Sequence, residues 1–208
     1  LEEGRGKVVG KEPIVNDSFY CIPNKQKCDI ENKFNDVRST QPNTMPTAEQ
    51  FTFEAQKLGI NTDSIIVIYD NQGIYSSPRA WWMFKSMGHE NVYVLDGGLP
   101  EWLDRGFDIV QKYRSKTEGD FVAEYKTRQV CGKNEVLGAI DSSDQTIVDA
   151  RANARFVGAA AEPSAGLRSG HIPKSVNIPF LDLLRGYRFK AQEDIHDIFL
   201  QQGALDKL

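Results

Sequence analysis

Apolar positions along this chain switch between a strand-like and a helix-like period, and the switches mark its elements. Residues 65–69 (IIVIY) are an unbroken β-branched and aromatic run, the pattern of a strand buried on both faces. The run stops at Asp70 in a short polar stretch containing Gly73. Ser77 and Pro78 then read as a helix start, with Ser77 as N-cap and Pro78 at the first helical position. Trp81, Trp82, Phe84, Lys85 and Met87 carry that helix to Gly88. Residues 92–95 form a second buried strand. Asp96, Gly97 and Gly98 form a turn, and residues 99–105 a short helix closed by Gly106. A strand, loop, helix, strand unit with a right-handed crossover makes its two strands parallel.

The flanks add further elements. Thr47 caps a helix over residues 47–58, with Gln50 placed for a capping box, Phe51, Ala55 and Leu58 on one face and Gly59 as the stop. The polar run 31–44 reads as a surface loop, and residues 21–24 (CIPN) as a turn. Residues 1–20 offer only Lys7-Val8-Val9 and Ile14-Val15 among scattered Gly and Pro. Downstream, residues 111–120 have the polar, charged composition of a linker and residues 121–130 read as an extended connector. A helix is expected over 133–140, a strand over 146–149, a loop with one helical turn over 151–170 and a strand over 176–178.

The chain then repeats itself. His171-Ile172-Pro173 lies opposite Cys21-Ile22-Pro23, Asn177-Ile178 falls near Asp29-Ile30, and residues 191–203 match 48–59, each a helix ending in Gly. Residues 204–208 correspond to 60–65, so the second copy stops where its version of the central strand begins.

Composition narrows the functional classes. With 208 residues, 40% hydrophobic and 26% charged, the chain is globular and long enough for one large or two small cores. A net charge of −4 without a basic cluster argues against a nucleic-acid partner. No apolar run is long enough to span a bilayer and the first residues have no signal-peptide core, so the expected compartment is the cytoplasm and no membrane partner is expected. Cys21, Cys28 and Cys131 are odd in number and lack zinc-site spacing, which leaves them as free thiols with neither a disulfide framework nor a metal.

Four stretches, HIPKSVNIPF at 171–180, IVDAR at 147–151, DNQGIYSSPRAWWMF at 70–84 and LDGGLPEW at 95–102, together resemble the tandem-domain rhodanese family of thiosulfate and 3-mercaptopyruvate sulfurtransferases. The resemblance implies an α/β fold of two rhodanese-like domains, each a parallel sheet flanked by helices. The first, catalytically silent and incomplete at its start, would occupy residues 1–110, a linker 111–130, and the first part of an incomplete second domain 131–208. In that family only the second domain carries the nucleophilic cysteine, at the start of the loop after its central strand. It takes a sulfane sulfur as a persulfide and passes it to a thiol or cyanide acceptor, with no cofactor.

A loop running from a buried strand into a helix N-terminus turns backbone N–H groups inward, which stabilises a thiolate or an anion. The resemblance places this cysteine beyond Leu208, and Asp70 at the equivalent point of the silent loop, where a carboxylate accepting loop N–H bonds is expected. It also implies that Arg155 meets the anionic donor, with Arg168 as a second candidate. Asp149 and Arg151 are expected to pair, and His171 to anchor a turn. The tryptophans read as core or domain-contact aromatics. Two positions depart from the family: Ser164 follows Glu162-Pro163 where mercaptopyruvate-using members tend to have Arg, and Cys21 stands where members often have His. The competing reading is a non-catalytic rhodanese-like binding or regulatory module whose Asp70 loop takes an anion or a partner.

Overall fold

A computed structural model of the chain describes residues 21–41, 43–111, 117–163 and 166–205. The expectations for Lys7-Val8-Val9, Ile14-Val15, Ser164, residues 112–116 of the linker segment and the last three residues fall outside the described residues. The described chain divides into two compact units at the junction of Val130 and Cys131.

In the first unit, α1 (Ala48–Lys57) begins at Thr47, whose hydroxyl accepts the Gln50 N–H at 3.2 Å. Only half of the expected capping box forms, because the Gln50 amide instead donates to the carbonyls of Lys33 and Asn35. The next elements are β1 (Ile66–Ile68), α2 (Ser77–Ser86), β2 (Val92–Val94) and α3 (Gly98–Asp104). β1 and β2 pair in parallel, with Ile66 opposite Val92 and Ile68 opposite Val94, as a right-handed crossover requires.

The core joins four rings, Phe34, Phe51, Phe84 and Phe121, with Ala55, Met83, Met87 and Val92. Phe51 lies at its centre, 5.0 Å from the Phe34 ring and 4.9 Å from the Phe84 ring, both edge-on. Such pairs add about 0.5–1.5 kcal/mol each beyond burial. Phe34 corrects the reading of residues 31–44 as a surface loop: it is 2% exposed and tucks beneath its polar neighbours. Phe121, from the segment read as linker and connector, enters the same core. Gly119 permits that approach, since a Cβ there would lie 2.0 Å from the Ile60 carbonyl oxygen.

The strands are not buried on both faces. Ile66 and Ile68 pack against the core, whereas Val67 is 55% and Tyr93 54% exposed. The pleat sends alternate side chains to opposite faces, and among the described residues the aromatic cluster packs against the face bearing Ile66 and Ile68.

The second unit comprises α4 (Lys133–Ala139), β3 (Val148–Asp149), α5 (Asn153–Phe156), β4 (Val176–Asn177), β5 (Leu184–Arg185), β6 (Arg188–Phe189) and α6 (Gln192–Gln201). β3 and β4 are parallel, and β5 and β6 form a small antiparallel hairpin that the residue pattern did not announce. The repeated sequence reappears as repeated local geometry. Asn24 and Lys174, each following an Ile-Pro pair, adopt left-handed backbone with φ of 66° and 61°. In each turn the next residue's N–H reaches the Ile carbonyl, Lys25 to Ile22 and Ser175 to Ile172. Gly59 and Gly203, which follow α1 and α6, have φ of 71° and 67°. The match fails at Asp29-Ile30, where the first copy has a turn opposite β4.

Candidate functional site

Two loci hold deeply set carboxylates, one in each unit. In the first, Asp70 stands just beyond β1, and residues 71–76 wrap around its carboxylate before α2 begins. Oδ1 accepts the Gln72 N–H at 2.8 Å, and Oδ2 accepts the N–H groups of Tyr75, Ser76 and Ser77, each at 2.9 Å. The Ser77 hydroxyl donates to Oδ2 at 2.8 Å. This bond explains why Ser77 does not act as the expected N-cap: it is the first helical residue, with its hydroxyl turned to Asp70, while Ser76 stands at the N-cap position without a side-chain capping bond. The positive end of the α2 dipole faces the same carboxylate. Behind the loop, the Asp70 carbonyl accepts the Leu99 N–H, and a Cβ on Gly98 (φ +54°) would lie 2.6 Å from the carbonyl oxygens of Asp70 and Gly73. The loop is an anion nest already filled by its own side chain.

The second locus is a charge network at the end of β3. The expected Asp149 and Arg151 pair forms, with Arg151 Nε 3.0 Å from both carboxylate oxygens. Arg151 Nη2 also donates to the Gly170 carbonyl at 2.8 Å, and Nη1 to Glu162 Oε1 at 2.7 Å. Arg155, on α5, donates through Nη2 to Glu162 Oε2 and through Nε to Oε1 at 3.4 Å. The Arg155 hydrogen bond, with Arg151 beside it, holds the Glu162 carboxyl below its ordinary range. The Arg151 hydrogen bond does the same for Asp149, and Asp149 in turn raises Arg151. The Arg155 Nη1 edge makes no hydrogen bond to the described residues, which leaves guanidinium donors for an anion. Arg168 is exposed and is not part of this network. His171 anchors its turn as expected, donating from Nδ1 to the Phe156 carbonyl at 2.8 Å while its ring stacks on Phe156.

The family described as a rhodanese-like domain matches residues 20–105. The chain is similar to 3-mercaptopyruvate sulfurtransferase of Escherichia coli K12, with 35% identity over 182 residues, covering 88% of this chain and 64% of that protein. It is 36% identical to the 3-mercaptopyruvate sulfurtransferase of Rattus norvegicus, covering 87% of this chain and 62% of the relative. Among solved structures, the sulfur transferase subunit of yeast mitochondrial complex I superposes with a TM-score of 0.76 at 30% identity, covering 90% of this chain and 68% of that one. The chain belongs to the rhodanese family. It spans about 64% of the length of the first of these relatives.

In this rhodanese-family chain none of the three thiols occupies the strand-to-helix loop, and none is in a disulfide. Cys21 is buried and donates from Sγ to the Val110 carbonyl at 3.2 Å. Burial, reinforced by the charge of Asp29, pushes the Cys28 thiol up to about 12, so it stays protonated and a poor nucleophile at neutral pH. Cys131 is exposed. Among the described residues no group of His, Cys, Asp and Glu could hold a metal ion, and no helix is long and apolar enough to cross a membrane. The three indoles serve as struts: Trp81, Trp82 and Trp102 donate to the carbonyls of Val92, Gln129 and Asp108. Sequence reasoning missed Glu162 as a member of the site. Its separations of seven and eleven residues from Arg155 and Arg151 would place the three on one face of a helix, but the helix ends at Phe156 and residues 157–163 are turn and loop, so only the folded loop brings them together.

Proposed function

We propose that this chain is the larger part of a tandem rhodanese, a sulfurtransferase that moves a sulfane sulfur from thiosulfate or 3-mercaptopyruvate to a thiol or cyanide. The observation that carries the reading is the extent of the similarity to 3-mercaptopyruvate sulfurtransferases. It covers 87–88% of this chain and so extends well past the first rhodanese-like domain into the second unit. The repeated Ile-Pro turns and Gly-ended helices support two copies of one scaffold, with residues 1–110 as the first domain, 111–130 as the connection and 131–208 as the beginning of the second.

In this reading the nucleophilic cysteine lies beyond Leu208, in the second copy's counterpart of the Asp70 loop. Its thiolate attacks the donor's outer sulfur. With thiosulfate the S–S bond breaks and sulfite leaves; with 3-mercaptopyruvate the C–S bond breaks and pyruvate leaves, the thiol proton ending on carbon. The persulfide's terminal sulfur then passes to the acceptor. Arg155 receives the anionic end of the donor through its open Nη1 edge, and Arg168 is a secondary contact. Asp70 keeps the first loop silent, because a carboxylate cannot carry a persulfide. The competing reading, a binding module that takes an anion at the Asp70 loop, is disfavoured because four backbone N–H groups and a hydroxyl already point at Asp70.

The test compares the full-length polypeptide with residues 1–208, measuring thiocyanate from thiosulfate and cyanide, and pyruvate from 3-mercaptopyruvate. Turnover by the full polypeptide and none by the 208-residue chain is expected; thiocyanate made by the 208-residue chain alone contradicts the proposal.

A further inference from the structure

We propose that Glu162 is a positioning residue that fixes the donor-binding guanidinium of Arg155 to the end of β3 by gripping Arg151 with the same carboxylate. This rests on the reading of Arg155 given above. Glu162 lies outside any helix or strand, yet its side chain is only 6% exposed, and both of its oxygens are committed to guanidinium groups. Arg151 is itself tied to Asp149 on the strand and to the Gly170 carbonyl. Arg155 therefore stands one carboxylate away from a fixed strand end.

Without that link it would project from α5, a helix of four residues, on a long and partly exposed side chain. The grip also sets orientation. Glu162 takes the Nε and Nη2 corners of the planar fork, so the remaining edge can face in only one direction. Neutralisation of Arg155 is the opposite possibility, in which Glu162 would compete with the donor. The contact geometry argues against it: Glu162 takes only Nε and Nη2 of Arg155, so an anion at the Nη1 edge need not displace the carboxylate, even though the two arginines and two carboxylates balance in charge.

The experiment uses the full-length polypeptide carrying Glu162→Gln, Glu162→Asp or Arg155→Ala, with donor KM and kcat measured separately and thiosulfate affinity measured by calorimetry. Positioning raises the donor KM of Glu162→Gln about tenfold while kcat stays within about twofold, because a misplaced binding group costs binding before chemistry. Glu162→Asp keeps the charge but shortens the reach, so its KM lies between the two. Calorimetric affinities follow the same order.

A KM for Glu162→Gln equal to or below that of the parent, with Arg155→Ala still raised, overturns the positioning role and leaves the Arg155 reading standing. An unchanged KM and affinity in Arg155→Ala overturns both. Absence of turnover with the affinity order intact overturns the catalytic reading alone. Denaturation midpoints identify any variant that fails to fold, and Glu162→Asp then decides: a parental KM or affinity in it overturns the proposal.

Discussion

The two units share local devices but differ in what holds them. The first is organised by apolar packing, four phenylalanine rings with Met83, Met87 and Val92, and the buried carboxylate among its described residues, Asp70, is satisfied almost wholly by backbone N–H groups. Among the described residues of the second, Ile178 alone is a buried hydrophobic, and its deeply set carboxylate, Glu162, is satisfied by two arginines. A carboxylate wrapped in backbone closes a loop, whereas one shared between guanidinium groups holds side chains whose remaining donors still face outward. The difference is in keeping with the proposal of scaffolding in the first unit and anion handling in the second.

Core substitutions strain that comparison most. Phe51→Ala should cost about 3–5 kcal/mol in urea denaturation, because a cavity opens among rings that cannot collapse into it. Ile178→Ala, in thinner apolar surroundings, should cost less; a cost equal to that of Phe51→Ala would erase the contrast. Next comes Asp70→Ala, which leaves several loop donors unpaired and should cost about 2–4 kcal/mol, with Asp70→Asn costing less because one carbonyl oxygen survives. A loss under about 0.5 kcal/mol would mean that water replaces the carboxylate freely.

Acid should act on the second unit through its paired carboxylates. Asp149 and Glu162 are held below their ordinary values of 3.8 and 4.5. Their contribution is therefore complete above those values and is lost as pH falls through the lowered ones. Comparing the parent with Glu162→Gln from neutral pH to about pH 3, the stability difference should shrink towards acid; a difference that stays constant would deny the network any role in stability. The smallest effect concerns the repeated turn. Lys174 holds left-handed backbone that glycine adopts without a Cβ clash, and its ion pair with Asp141 is largely exposed. Lys174→Gly should therefore stabilise by about 0.5–1 kcal/mol.

Much of this was legible in the residues because it rests on local chemistry. Thr47 and Gly59 bracket α1, Gly97 and Gly98 turn the chain into α3, and the two Ile-Pro turns disclosed the repeat. Asp70 was legible as a carboxylate turned into its own loop. What escaped is decided by contacts between distant parts of the chain. Phe34 is one ring in a polar run, and only tertiary contact makes it core. Val67 and Tyr93 look like buried strand residues, since β-branched and aromatic side chains suit either face of a pleated sheet. Ser77 reads as a helix cap, but the neighbouring carboxylate of Asp70 takes its hydroxyl instead. Glu162 gains its meaning from two arginines that only a folded loop brings together.

The central claim is that sulfur chemistry belongs to the second copy of the scaffold while the first copy's loop is closed by its own carboxylate. Peptide mapping by mass spectrometry of the full-length polypeptide, treated with thiosulfate or 3-mercaptopyruvate and no reductant, tests it most directly. The added sulfur should sit on a cysteine following Leu208, in the loop between a strand and a helix. A persulfide on Cys21, Cys28 or Cys131, or none anywhere, would contradict the account.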